Sequence, residues 1–168
     1  MSGSSNTASG SSALSLNTAS NNTAFGFESL KLNSSGTGNV ASGYRSLAAT
    51  LTSDENTAIG YNSCLATTGQ KNTAVGSTTM SANVGGSYNV AVGWQALNGI
   101  ISNDNCTAIG TWALRANTAA ANTAVGNSSQ AANTSGQNNC SFGSSSLATN
   151  ISTGSNCAFG TNSLGANI

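Results

Sequence analysis

Proline and histidine are both missing from this chain, and charge is nearly missing too. Without proline, every backbone N–H after the first residue can donate to a continuous hydrogen-bonded ladder. Without histidine, Ser–His and Cys–His nucleophile pairs and the histidine-containing zinc sites are unavailable. The eight charged residues are Lys31, Arg45, Lys71 and Arg115 against Glu28, Asp54, Glu55 and Asp104, and they sum to zero. That balance removes the electrostatic basis of nucleic-acid binding. No stretch approaches the ~20 apolar residues of a membrane span. The segment from Met1 to Ser5 does not read as a signal peptide, so this chain is expected to be made without one. The four cysteines show no C-x-x-C spacing, and no cofactor or metal site is read from them.

What is present is Asn, Ser, Thr, Ala and Gly in strict phase. A composition this polar and small can belong to disordered chains, but disorder imposes no register. Here a glycine recurs at Gly10, Gly26, Gly43, Gly60, Gly76, Gly93, Gly110, Gly126, Gly143 and Gly160, in steps of 16, 17 and 17 taken three times. A fixed period of this kind marks one supersecondary unit stacked on copies of itself. We call each unit a coil, number the coils 1 to 10, and count positions from the glycine as zero.

Position −4 is Asn in nine coils, Asn6, Asn22, Asn39, Asn56, Asn72, Asn89, Asn122, Asn139 and Asn156, with Cys106 as the exception. Position −2 is Ala except for Ser141, and position −3 is Thr, Val or Cys. Position −1 carries Phe25, Ile59, Val75, Val92, Ile109, Val125, Phe142 and Phe159, with Ser9 and Ser42 in the other two coils. This alternation predicts a short strand, with −3 and −1 turned inward. Position +4 adds Leu14, Leu30, Leu47, Leu97, Leu114, Leu147 and Leu164, and Cys64, Met80 and Gln130 elsewhere. About three apolar residues per coil cannot stabilise one unit alone, so neighbouring coils must cover one another.

The expected fold is therefore all-β. It is one domain spanning residues 1–168, a parallel β-solenoid or β-roll of about ten 16–17-residue coils within a 50-residue super-repeat. Three short strands and three bends per coil would suit that length, and ten coils at ~4.8 Å per rung make a rod about 50 Å long. The asparagines at −4 are expected to form an amide ladder along the rod. Leu51, Ile101 and Ile151 recur at +8, and Gly36, Gly86 and Gly136 at +10, which extends the three-coil module. Without an obvious cap, the rod is expected to stack end to end or to be covered by neighbours.

Few groups carry chemistry. Cys140 and Cys157 occupy −3 in successive coils and are expected as stacked free thiols in the core, with Cys64 and Cys106 packed there as well. Asp54 and Asp104 are three coils apart, about 14 Å, which is too far to share a proton or an ion. The aromatics Phe27, Tyr44, Tyr61 and Trp94 at +1, with Trp112 at +2, form a candidate contact stripe for another subunit or for sugars. No catalytic constellation is present, and an enzyme is not expected.

The phrases Asn56-Thr-Ala-Ile-Gly60-Tyr-Asn-Ser, Asn72-Thr-Ala-Val-Gly76 and Asn89-Val-Ala-Val-Gly93-Trp-Gln-Ala-Leu97 resemble the NTAIGxxAL repeats of phage and large-virus fibre proteins. More distantly, they are similar to the head repeats of trimeric autotransporter adhesins, which are shorter. The resemblance runs from Asn6 to Leu164. It implies a homotrimeric β-roll serving as a shaft or receptor-binding head, on a virion surface or in an extracellular fibre. Three functions follow as expectations. The first is a structural fibre or filament subunit whose partner is itself. The second is an adhesive module for a cell-surface receptor or glycan. The third is an ice-binding solenoid, against which the inward assignment of the threonine row counts.

Overall fold

The computed structural model describes residues 3–99 and 101–165. Among them are no helices and ten three-residue strands: β1 (Thr7–Ser9), β2 (Thr23–Phe25), β3 (Val40–Ser42), β4 (Thr57–Ile59), β5 (Thr73–Val75), β6 (Val90–Val92), β7 (Thr107–Ile109), β8 (Thr123–Val125), β9 (Cys140–Phe142) and β10 (Cys157–Phe159). They form one sheet in chain order, every neighbour parallel and in register, so that Thr57, Ala58 and Ile59 oppose Thr73, Ala74 and Val75. The chain is a parallel β-solenoid.

Each coil holds one regular strand, where three were expected. Three positions per coil take left-handed backbone, +2, +4 and −5. In coil 2 they are Glu28 (φ 55) and Leu30 (φ 48), with Asn21 (φ 63) leading into the strand. Such residues break an extended run, so the rest of the coil is a chain of turns. Hydrogen bonds still run from rung to rung there: Leu30 N–H donates to Ser46 O at 3.0 Å, and Glu28 N–H to Ser11 O at 2.9 Å.

The periodic glycine serves two needs. Gly60 has φ 132, and a Cβ placed on it would come within 2.4 Å of the carbonyl oxygen of Gly76 in the next coil. Glycine thus permits both the bend and the close stacking of bends.

The strand faces are opposite to the expected phase. The alanines at −2, such as Ala24, Ala58 and Ala74, are fully buried. Positions −3 and −1 point outward. Phe25, Ile59, Val92, Ile109, Phe142 and Phe159, assigned above to the core, are exposed, and Val75 and Val125 are half-buried. The reason is the narrowness of the coil. The residue at +3 crosses the interior far enough for Ser63 Oγ to donate to the backbone carbonyl of Ala74 at 3.0 Å. Between that side chain and the strand only a methyl group fits.

The Leu column fills the remaining interior. Leu30, Leu47, Leu97, Leu114 and Leu147 are buried, with Met80 and Cys64 in the same column. Leu164 belongs to coil 10, where one coil packs on it, and it is half exposed.

Candidate interaction surface

The asparagines at −4 sit inside the coil and tie each rung to the next two ways. The backbone N–H of Asn72 donates to Asn56 Oδ1 at 2.9 Å, and Asn56 Nδ2 donates to Gly69 O at 3.0 Å. The same side-chain-to-backbone link joins Asn22 to Asn39, Asn39 to Asn56, Asn72 to Asn89, Asn122 to Asn139 and Asn139 to Asn156. Direct amide-to-amide bonds are fewer, with Asn89 Nδ2 donating to Asn72 Oδ1 at 3.1 Å and Asn156 Nδ2 to Asn139 Oδ1 at 3.0 Å. Because a buried amide left unpaired is costly, this column specifies register along the rod.

A second asparagine column lies at +7 and did not enter the sequence reading. Asn33 Oδ1 accepts from Gly36 N–H at 3.0 Å, and its Nδ2 donates to Gly36 O and to Asn17 Oδ1, both at 2.8 Å. Asn133 repeats the loop on Gly136. The regular spacing of Asn17, Asn33, Asn83, Asn117, Asn133 and Asn150 from their glycines was the available signal. One buried polar knot departs from the repeat. Gln130 takes a leucine position, its Nε2 donating to Thr123 O at 2.7 Å and Ser141 Oγ at 2.9 Å, while its Oε1 has no partner.

The outward strand face carries an apolar row along the rod. Along −1 run Phe25, Ile59, Val75, Val92, Ile109, Val125, Phe142 and Phe159, and Val40 and Val90 join them at −3. Phe142 and Phe159 stack at 5.2 Å between ring centres. The threonines at −3 share this face, Thr23, Thr57, Thr73, Thr107 and Thr123 being half-buried and Thr7 exposed. No charged residue interrupts the ten strands.

Cys140 and Cys157 also lie on this face, as direct partners in β9 and β10, and not in the core. They follow the outward phase of position −3, Cys140 half-buried and Cys157 exposed. Partial burial, then the neighbouring Cys157, raise the Cys140 thiol above its ordinary pKa. Cys64 and Cys106 are buried, and burial pushes the Cys64 thiol up to about 12.

Around the glycine bend from this face lies the aromatic stripe. Phe27 stacks on Tyr44 at 5.3 Å and Tyr44 on Tyr61 at 5.2 Å, with ring planes within 12° and 10°. Trp94 and Trp112 meet at 5.3 Å, tilted by 43°. Trp112 Nε1 donates to Gln95 Oε1 at 3.1 Å, and the Arg115 guanidinium lies 5.5 Å from its ring.

The charged residues act locally. Glu28 pairs with Lys31 at 2.6 Å and Arg45 at 3.4 Å. Asp54 Oδ1 accepts from Thr37 N–H at 2.7 Å, and Asp104 Oδ1 from Ser87 N–H at 2.7 Å, each binding its loop to the preceding coil. Among the described residues no group of three or more His, Cys, Asp or Glu side chains could hold a metal ion, and no helix is long and apolar enough to cross a membrane. No protein-family model, curated protein or solved structure matches this chain.

Proposed function

We propose that this chain is a segment of a structural rod, a fibre or filament subunit that assembles with copies of itself through the outward strand face. The observation that supports this most is the row of Phe, Ile and Val at −1, open to solvent along a ten-strand sheet without a charge. A monomer seldom leaves so long an apolar strip exposed, and a neutral surface does little to keep copies apart. The resemblance to fibre repeats supports a homotrimer on a virion surface or in an extracellular fibre. In this reading the rod holds shape and length, and it performs no catalysis.

The test is oligomeric state. Ile59 and Ile109 point outward, so I59K/I109K leaves the coil interior untouched and places like charges on the strip. The wild type should sediment as an oligomer and the double variant as a folded monomer. A wild-type chain that stays monomeric at high concentration overturns the proposal.

A second reading, ice binding, draws on the same face. The outward turn of −3 removes the objection that Thr23, Thr57, Thr73, Thr107 and Thr123 face the core, although Val40, Val90, Cys140 and Cys157 interrupt the row. Thermal hysteresis in the wild type, lost in T57K/T73K, would favour it; its absence removes it.

A further inference from the structure

The aromatic stripe has one missing rung. Position +1 holds Phe27, Tyr44 and Tyr61 in coils 2 to 4, Ser77 in coil 5 and Trp94 in coil 6. Most ring faces in the stripe are already covered, since Tyr44 has Phe27 on one side and Tyr61 on the other. The other ring pair is Trp94 with Trp112, in contact but tilted. A stripe that stacks on sugars along its whole length, the arrangement the sequence suggested, therefore has few free faces to offer. Over Ser77 the situation differs: the uncovered side of Tyr61 and the uncovered side of Trp94 flank the same exposed serine.

The gap is the size of one ring. The strands on either side, β4, β5 and β6, pair without interruption, so Tyr61 and Trp94 stand two rungs apart, about 9.6 Å. Phe27 and Tyr61 are separated by two rungs as well, and Tyr44 fills that interval with ring-centre distances of 5.3 and 5.2 Å. Coil 5 repeats the interval with the ring left out.

Polar groups at the gap favour a hydroxylated occupant over an aromatic side chain. Among the described residues the Tyr61 hydroxyl and Trp94 Nε1 have no hydrogen-bond partner, whereas Trp112 Nε1 is engaged by Gln95. A phenyl ring from another protein offers these two groups no hydrogen bond, whereas a hydroxylated ring does. A pyranose presents C–H faces to the two rings and hydroxyls at its edge. We infer that the space over Ser77, between Tyr61 and Trp94, is a binding slot for a single pyranose ring of a glycan. The slot lies beyond the bend from the strand face, so it is independent of self-assembly.

The test uses the assembled wild-type protein with the methyl pyranosides of glucose, galactose and mannose at millimolar concentration, and phenol as a flat aromatic comparison. Saturation-transfer NMR should show transfer from the protein to the ring protons of at least one pyranoside, with a change in tryptophan emission. S77Y supplies the missing ring from within the chain and should weaken that binding at least tenfold; W94A should do the same. S144Y, at the same position in coil 9, should bind as the wild type does. The inference is overturned by no transfer to any pyranoside, by transfer to phenol alone, or by unchanged binding in S77Y.

Discussion

The backbone N–H of Cys106 donates to Asn89 Oδ1 at 2.8 Å, so the one coil without an asparagine at −4 still receives the ladder from the coil before it. The thiol also passes the ladder on. It accepts from Asn117 Nδ2 at 3.5 Å and lies 3.4 Å from Ala119 O, the carbonyl position that an asparagine Nδ2 serves elsewhere. Sulfur makes both bonds weakly. Cys106→Asn should therefore raise stability by about 1 kcal/mol, the net worth of a typical hydrogen bond. Cys106→Ala should lower it by about 1 kcal/mol, because Asn117 Nδ2 loses its bond to sulfur while Ala119 O keeps Asn117 and Asn122 as donors. Urea unfolding of the three proteins measures both; a destabilised C106N would mean that the thiol does not stand in for the amide.

The reversed strand phase separates two neighbouring residues. Ala58 is fully buried in a space that admits a methyl group, and Ile59 beside it is exposed. Ala58→Leu should cost more than about 3 kcal/mol or prevent folding, since overpacking forces backbone shifts in a narrow interior. Ile59→Ser should stay within about 0.5 kcal/mol in the isolated subunit. Thermal melts of the two variants on the I109K background decide the matter, and the opposite ranking would return −1 to the core.

Position −5 is left-handed in every coil, and only coil 3 places glycine there. Gly38 has φ 69 and Ala121 has φ 58. A Cβ on Gly38 would meet Glu55 Cγ at 3.5 Å, an ordinary contact, so backbone strain alone governs substitution there. Ala121→Gly is expected to stabilise by about 1 kcal/mol and Gly38→Ala to destabilise by a similar amount. Equal stabilities for G38A and the wild type would show that the turn tolerates a side chain freely.

Burial raises the Cys64 thiol from 9.0 to about 12. The folded chain then keeps its proton in a range where the unfolded chain loses it, so the thiol's contribution is fully present below pH 9 and fades as pH rises toward 12. Stability measured at pH 8, 9 and 10 should fall more steeply in the wild type than in C64L, which fills the same leucine column without a titrating group. Parallel pH profiles would remove the effect. In the native state a thiol reagent should modify Cys157 first and leave Cys64 and Cys106 unreacted, in keeping with their exposure.

The sequence by itself determined the one-dimensional architecture. A glycine every 16 or 17 residues, closing the same phrase each time, admits one arrangement in which like meets like, a stack of parallel rungs. The Leu column at +4 and the free thiols were legible for the same reason, because position in the repeat implies position in the stack. What the sequence left open was which strand face lies inside. A period of two distinguishes two faces without saying which is the interior, and apolar side chains drew −3 and −1 inward. Only the tertiary structure decided it. Turns with three left-handed residues per coil close the coil so tightly that the strand side of the interior holds small side chains, alanine or Ser141, beside the asparagines and Cys106. Phe25, Ile59 and Phe142 are thereby pushed to the surface, and the residues read as core became the face by which the rod is proposed to join its copies.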